Sequence, residues 1–436
     1  MLFNTVQYLL FLPVVVLIYY LLPYYVRYIW LLISSYYFYM QWNPAYVLLL
    51  FLSTLVTYIG ALVMEYQKCK CSTNKNYFSY VHKKQKICLI VCIIFNLCIL
   101  GIYKYTNFII DCINLFLSYF HIGQFHIEFN ILLPVGISFY TLQALGYLID
   151  VYRGELFAEK NFLKYALFVS FFPQLVAGPI ERSRNLLGQL QEHHSFQFYN
   201  IKKGVLIIIY GLFLKMVIGD RLSVIVDRVF LNTERFSGFY IVIAVALFSV
   251  QIYCDFYGYS TIAKGSALLM GIHLMDNFIA PYYSKSIKEF WRRWHISLSS
   301  WFRDYLYIPL GGNRKGFKRK EINILLIFAI SGLWHGASWG YVFWGILHAL
   351  YQIIAGVLVE VRNHLSGICG KIIPKTIRYC EKIEGTKTFS IHLYQQISTY
   401  LLVSFAWLFF RAGSFSASIQ IIEKMLRGGG KIGLSC

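Results

Sequence analysis

Charge is what this sequence lacks most: Asp, Glu, Lys and Arg make up 14% of its 436 residues, against roughly 25% in an average soluble domain. An ordinary soluble enzyme is thereby excluded. Disorder is excluded as well, because 58% of the residues are hydrophobic and 19% aromatic, far too apolar for a solvated coil. No internal repeat, C-x-x-C pair, secreted disulfide spacing or G-x-x-x-x-G-K-S/T phosphate loop is present. Length alone would suggest two or three soluble domains. The apolar segments instead follow one another with few polar breaks, which reads as one membrane-embedded unit over residues 1–436.

Acidic side chains are scarcer than basic ones, 20 against 40, for a formal charge of +20. In a soluble protein that excess would raise nucleic acid as a partner. Here the basic residues sit largely in loops between apolar runs, where cytoplasmic orientation and anionic lipid headgroups account for them. Membrane lipids are therefore expected partners, and nucleic acid is not. Half of the ten cysteines lie inside apolar runs as small buried residues. Cys69-Lys70-Cys71 reads as a reduced, solvated pair in a basic loop rather than a metal site.

A spanning helix needs about 20 apolar residues. Met1 to Val26 carries no charge and has neither a basic n-region nor a small-residue cleavage site, so Val6 to Leu22 is expected to be a retained first span. The 37 uncharged residues from Tyr28 to Met64 allow two crossings, divided at Gln41-Trp42-Asn43-Pro44. Further expected spans are Ile87 to Tyr103, Tyr105 to Phe120, Ile131 to Ile149, Phe162 to Ala177, Gly204 to Gly219, Phe236 to Cys254 and the Gly-rich stretch after Phe256. The 38 uncharged residues from Ile322 to Val359 must hold two helices, or one crossing and a re-entrant piece. A last span runs from about Ile391 to Phe410. Ala177 to Lys203 reads as a loop followed by an interfacial amphipathic helix carrying Leu186, Leu187 and Leu190. Arg362 to Lys387 reads as a loop with two short amphipathic pieces.

Loop charge predicts orientation. Glu65 to Lys86 contains six Lys and one Glu, and Lys285 to Glu321 contains ten basic residues against three acidic ones. Both are expected on the cytoplasmic side, which places the N-terminus outside.

Chemistry concentrates in two stretches. Phe290 to Tyr305 mixes Trp291, Trp294, Trp301, Phe302 and Tyr305 with Arg292, Arg293 and Arg303, a pattern that cannot face lipid throughout. It predicts an interfacial helix or a re-entrant segment lining a polar cavity; an aromatic belt with snorkelling arginines would give the same composition. Tyr307 to Gly316 adds a Pro and Gly turn whose donors could hold phosphates, and a plain positive-inside loop would look alike. His335 falls in Ser331 to Gly340, inside the long uncharged run. An ionisable group there is a functional candidate, and a desolvated neutral imidazole can accept a proton. Gly332, Gly336 and Gly340 are expected on one helix face beside it. A hydrogen-bonded packing histidine is the competing account. His348 and His392 lack such neighbours in the sequence and are read as structural. No spacing supports a zinc site from His295, His335 and His348.

Phe290 to Gly316 and Ser331 to Gly345 resemble the two signature blocks of the membrane-bound O-acyltransferase (MBOAT) family. Arg303 to Asn313 (Arg-Asp-Tyr-Leu-Tyr-Ile-Pro-Leu-Gly-Gly-Asn) is similar to its AlgI-like bacterial branch. Met1-Leu2-Phe3-Asn4, Asn43-Pro44 and Pro173 to Ile180 carry the likeness from end to end. The resemblance implies an all-α polytopic membrane protein. About eleven transmembrane helices would surround a central tunnel, with re-entrant or interfacial helices and a catalytic core at residues 285–345. It implies an O-acetyltransferase in which His335 matches the catalytic histidine and His295 the second functional position, where relatives carry His or Asn. Arg292, Arg293, Asn313, Arg314 and Lys315 are the expected donor-binding residues. Acetyl-CoA is the expected acyl donor, with no bound cofactor and no metal. An extracytoplasmic polysaccharide is the acceptor, an extracytoplasmic acetyltransferase protein a partner, and the bacterial inner membrane the location. Chains of this branch continue with apolar sequence after the match at Trp407 to Ala412, so a final span or docking surface is expected beyond Cys436. The alternatives are D-alanyl transfer to teichoic acid from a carrier-protein thioester (DltB type), or a transporter or scaffold with structural histidines.

Overall fold

A computed structural model describes residues 1–69, 75–121, 123, 132–176, 178–372 and 384–427, except for the side chains of 69, 75–79, 362–372 and 384–388. Lys70 and Cys71 of the expected basic loop, and much of Arg362 to Lys387, lie outside the described residues. All regular structure among the described residues is helical. Among the described residues, four helices are long and apolar enough to cross a membrane: Tyr46–Lys68, Tyr80–Tyr119, Gly238–Leu268 and Trp339–Val361. The protein is an all-α, multi-pass membrane protein.

Packing divides it into two compact units, residues 1–220 with 253–276, and residues 221–252 with 277–436. In the first, Val6–Leu21 starts at Thr5, whose hydroxyl accepts from the Tyr8 N–H. Tyr24–Met40 and Tyr46–Cys69 are parted at Gln41 to Ala45 as the turn residues predict. The expected spans Ile87 to Tyr103 and Tyr105 to Phe120 are instead one helix, Lys75–Tyr119. Lys104 supplied the expected break, but a lysine neither removes a backbone donor nor favours a turn. Its ammonium donates to Ser138 Oγ at 3.2 Å without interrupting the helix. The same helix absorbs Lys83, Lys84 and Lys86, shortening the basic loop. Of the expected span Ile131 to Ile149, Ile131 lies outside the described residues, and the helix itself is Ile137–Arg153.

The expected span Phe162 to Ala177 is also corrected. Phe162–Ser170, capped by the Asn161 carboxamide, ends at an extended Phe171 before the short Phe172–Leu175 helix. Pro173 explains the break, since it has no N–H to continue the preceding helix and its ring clashes with the carbonyl four residues back, whereas it fits the first turn of the next helix; Ala177 lies outside the described residues. Ser183–Gln191 forms where the amphipathic pattern predicts and buries Leu186 and Leu187.

Phe198–Leu212 lies against the Tyr253 to Leu268 part of Gly238–Leu268 through glycines. A Cβ on Gly204 or Gly211 would press on the carbonyl oxygens of Gly265 and Gly258, 2.9 and 2.8 Å away. Small residues allow this approach in a medium where apolar side chains gain nothing from leaving lipid. The expected division of Phe236 to Cys254 from the Gly-rich stretch is therefore wrong, because those glycines serve contact and do not end the helix. Beyond Leu212 the chain passes through a π-helical turn, Phe213–Gly219. There Lys215 Nζ meets Asp255 at 2.7 Å and Asp220 at 2.8 Å. Asp220 and Asp255 are 35 residues apart in the chain, so no local sequence pattern pairs them.

In the second unit, Phe317–His335 and Trp339–Ile372 form a helical hairpin, one of the two arrangements expected for the long uncharged run. The glycines do not share one helix face. Gly336 is extended, at φ −165°, and ends the first helix. Ser338 Oγ then accepts from Gly340 N at 3.2 Å and opens the next. A Cβ on Gly332 would overlap the Tyr341 carbonyl, and one on Gly345 the Phe328 carbonyl. The glycines thus let two helices cross closely, with His335 at the apex of the hairpin. Glu384–Ala412 packs on Trp339–Ile372, and Phe415–Arg427 follows after the left-handed Gly413.

Candidate active site

Ile287–Arg293 and Ile296–Phe302 are seven residues each, too short to span, and are joined at Trp294 and His295. Most of their aromatic side chains are buried in protein, including Phe290, Trp291, Trp294 and Trp301, which is the non-spanning segment the sequence predicts. His295 sits at the bend with φ 44° and ψ 53°. It is one of three non-glycine residues in the left-handed region among the described residues. That conformation costs about 1–3 kcal/mol and persists only where the surroundings enforce it. They do: Ile296 N donates to Asn277 O at 3.0 Å and Ile279 N to Arg293 O at 3.0 Å, so residues 277–279 clamp the bend.

His335 ends its helix half-buried, and its ring centroid lies 6.3 Å from that of the fully buried His295. Trp334, Trp344 and Phe410 stand edge-on to it at 4.9, 5.2 and 5.4 Å. Trp344 stacks in turn on Trp407 at 5.5 Å. These walls exclude water on several sides while leaving part of His335 reachable. Burial, reinforced by His335, holds the His295 imidazole well below the usual histidine range, so it is neutral near pH 7. His348, read as structural, is fully buried, accepts from Trp291 Nε1 at 3.3 Å and packs on Trp344. Among the described residues no group of three His, Cys, Asp or Glu is placed to hold a metal.

The two histidines named from the sequence are therefore together. The expected donor-binding residues lie elsewhere. Arg293 pairs with Glu289 at 2.7 Å, and Arg292 is exposed. Asn313 accepts from the Tyr307 hydroxyl, and Arg314 and Lys315 are exposed in the same turn. That turn uses Gly311, Gly312 and Gly316 at φ 107°, 52° and 83°, dihedrals that other residues rarely adopt. It precedes the first turn of Phe317–His335, so a helix length of about 27 Å separates it from His335.

Sequence reading missed Asn277, Ser297, Trp344, Trp407 and Phe410. Trp344 was within reach, since its i, i+4 spacing to His348 places both on one face. Asn277, Trp407 and Phe410 arrive from distant segments.

Two imidazoles stand side by side within an aromatic enclosure of a multi-pass membrane protein, an arrangement that suits proton transfer away from bulk water. The chain belongs to the membrane-bound O-acyltransferase family, MBOAT, whose model matches residues 31–365, and it is an acyltransferase of the AlgI-like kind. It is 35% identical over 427 residues to a protein of Azotobacter vinelandii described as "Probable alginate O-acetylase AlgI", covering 98% of this chain and 78% of that one. It is 33% identical to the peptidoglycan O-acetyltransferase of Helicobacter pylori, over 98% of this chain and 80% of the relative. With the teichoic acid D-alanyltransferase of Bacillus subtilis it shares 30% identity over 53% of this chain and 60% of the relative.

Proposed function

We propose that this acyltransferase moves an acetyl group from cytoplasmic acetyl-CoA to hydroxyls of an extracytoplasmic polysaccharide, in the bacterial cytoplasmic membrane and with an extracytoplasmic acetyltransferase as partner. The observation that carries the reading is the His335 and His295 pair within its aromatic walls. His335 takes the proton of the attacking hydroxyl as its oxygen adds to the thioester carbonyl. Collapse of the tetrahedral intermediate breaks the carbon–sulfur bond, and the CoA thiolate leaves with the proton from the imidazolium. Base catalysis of this kind contributes about 100- to 10,000-fold. His295 orients the reacting groups beside it. Likeness to acetyl-transferring relatives over nearly the whole chain, against half for the D-alanyltransferase, favours acetyl over D-alanyl transfer. Deleting the gene should strip O-acetyl groups from the cell's polysaccharide, and complementation should restore them; unchanged acetyl content would contradict the assignment.

Orientation rests on loop charge. Cysteines substituted near Lys75 and Lys318 should resist an impermeant thiol reagent in intact cells and react once the membrane is opened. Labelling of either from outside would reverse the topology.

Arg314 and Lys315 supply charge for the CoA phosphates. Their joint replacement by Gln should raise KM for acetyl-CoA with little change in kcat. The effect should shrink as salt rises, since exposed charges are screened over about 10 Å at 0.1 M. An unchanged KM at low salt would remove them from donor binding.

A further inference from the structure

The buried carboxamide of Asn277 lies under the imidazole of His295, and three contacts fix its chemistry. Its Oδ1 accepts from Ser297 N at 3.2 Å and from Ser297 Oγ at 2.8 Å, and stands 3.3 Å from His295 Nδ1. A backbone N–H can only donate, so the carboxamide oxygen, not its nitrogen, must face Ser297 and the ring. Ser297 has a single hydroxyl hydrogen. At 2.8 Å from Oδ1 against 3.5 Å from Nδ1, that hydrogen belongs to Asn277, leaving the Ser297 oxygen as a lone pair toward the ring. Both atoms facing Nδ1 are thus acceptors. A hydrogen bond forms there only if Nδ1 carries the hydrogen, and in a neutral imidazole the other nitrogen is then bare.

We infer that Asn277 is a positioning residue that locks His295 in its Nδ1–H tautomer and so presents Nε2 as a hydrogen-bond acceptor in the acyl-transfer site. The same residue holds the ring's direction, because its carbonyl accepts from Ile296 N at 3.0 Å across the left-handed bend. Asn277, His295 and Ser297 are all buried, so water does not compete for these bonds. The catalytic consequence rests on the acyltransferase reading above. His295 Nε2 accepts a hydrogen bond from a second hydroxyl of the acceptor sugar, while His335 removes the single proton of the attacking hydroxyl. In this tautomer His295 does not donate from Nε2 to the oxyanion, the role a relative with Asn at this position could fill.

The test reads the tautomer directly. Full-length protein labelled with nitrogen-15 histidine is reconstituted in lipid bilayers near pH 7.5, and His295 is assigned by its loss in His295→Gln. Solid-state NMR should show a protonated Nδ1 and a bare Nε2. Asn277→Ala should shift His295 toward the Nε2–H form, and Asn277→Asp, which keeps an oxygen at that point, should restore Nδ1–H. In parallel, Asn277→Ala should lower kcat by about tenfold or more with KM for acetyl-CoA within about twofold of wild type, and Asn277→Asp should recover most of the loss. A protonated Nε2 in the neutral wild-type ring overturns the inference, as does an Asn277→Ala protein with unaltered tautomer and kcat. If Asn277→Ala does not fold, the wild-type spectrum alone decides. Absence of turnover with every thioester would instead fail the acyl-transfer reading and leave the tautomer result standing.

Discussion

Replacing His335 with alanine should leave the protein in the membrane at normal levels and lower acyl transfer by about 100-fold or more, the span that a positioned general base contributes. The fold does not depend on this imidazole in the way it depends on His348. His335 is half-buried at the end of a helix, and its neighbours Trp344 and Phe410 also contact each other at 5.3 Å. Loss of the ring therefore opens space without dismantling the aromatic wall. O-acetyl content in a deletion strain carrying His335→Ala, set against membrane abundance of the variant, measures both. Near-normal acetylation at normal abundance would remove His335 as the base.

The second large effect falls on the hairpin. Gly345→Leu places side-chain carbon where the Phe328 carbonyl now sits. Backbone cannot yield as a flexible side chain would, so the two helices must separate. Overpacking typically costs about 1–3 kcal/mol and more when backbone must move. Separation also displaces His335 at the apex and the Trp344 that lies one residue before Gly345. The purified variant should lose thermal stability by fluorescence-detected size exclusion and lose most of its activity. Gly101→Leu, at a helical glycine where an added Cβ meets nothing within 4 Å, is the control that should do neither. Equal behaviour of the two variants would mean that glycine contact does not hold the hairpin.

What the sequence disclosed, and what it hid, follows from the range of its signals. Helix type was legible because uncharged runs are long, and the break at Asn43-Pro44 was legible because proline removes a donor. Two expected breaks do not occur, one at Lys104, where a charge interrupts an uncharged run, and one after Cys254, ahead of the Gly-rich stretch. In each case the chain runs straight through, since neither lysine nor a packed glycine unmakes a helix already held by its neighbours. At the site, His335 and His295 stood out as ionisable groups among apolar and aromatic residues. Their proximity did not, because 40 residues and a full helix separate them in the chain. Asn277 carried no local mark at all; its role comes from hydrogen bonds to residues 18 and 20 positions away. The glycine seam shows the intermediate case. Spacing of four correctly marked close approach around His335, but placed it along one helix instead of between two.

The central claim is acetyl transfer dependent on His335. Its most direct measurement takes purified protein in lipid nanodiscs, with the extracytoplasmic partner where one is needed, and supplies radiolabelled acetyl-CoA with an acceptor oligosaccharide. Label should appear on the oligosaccharide as an alkali-labile ester with wild-type protein and fall to background with His335→Ala. No ester from acetyl-CoA, but acyl transfer from a charged carrier protein under the same conditions, would contradict the account.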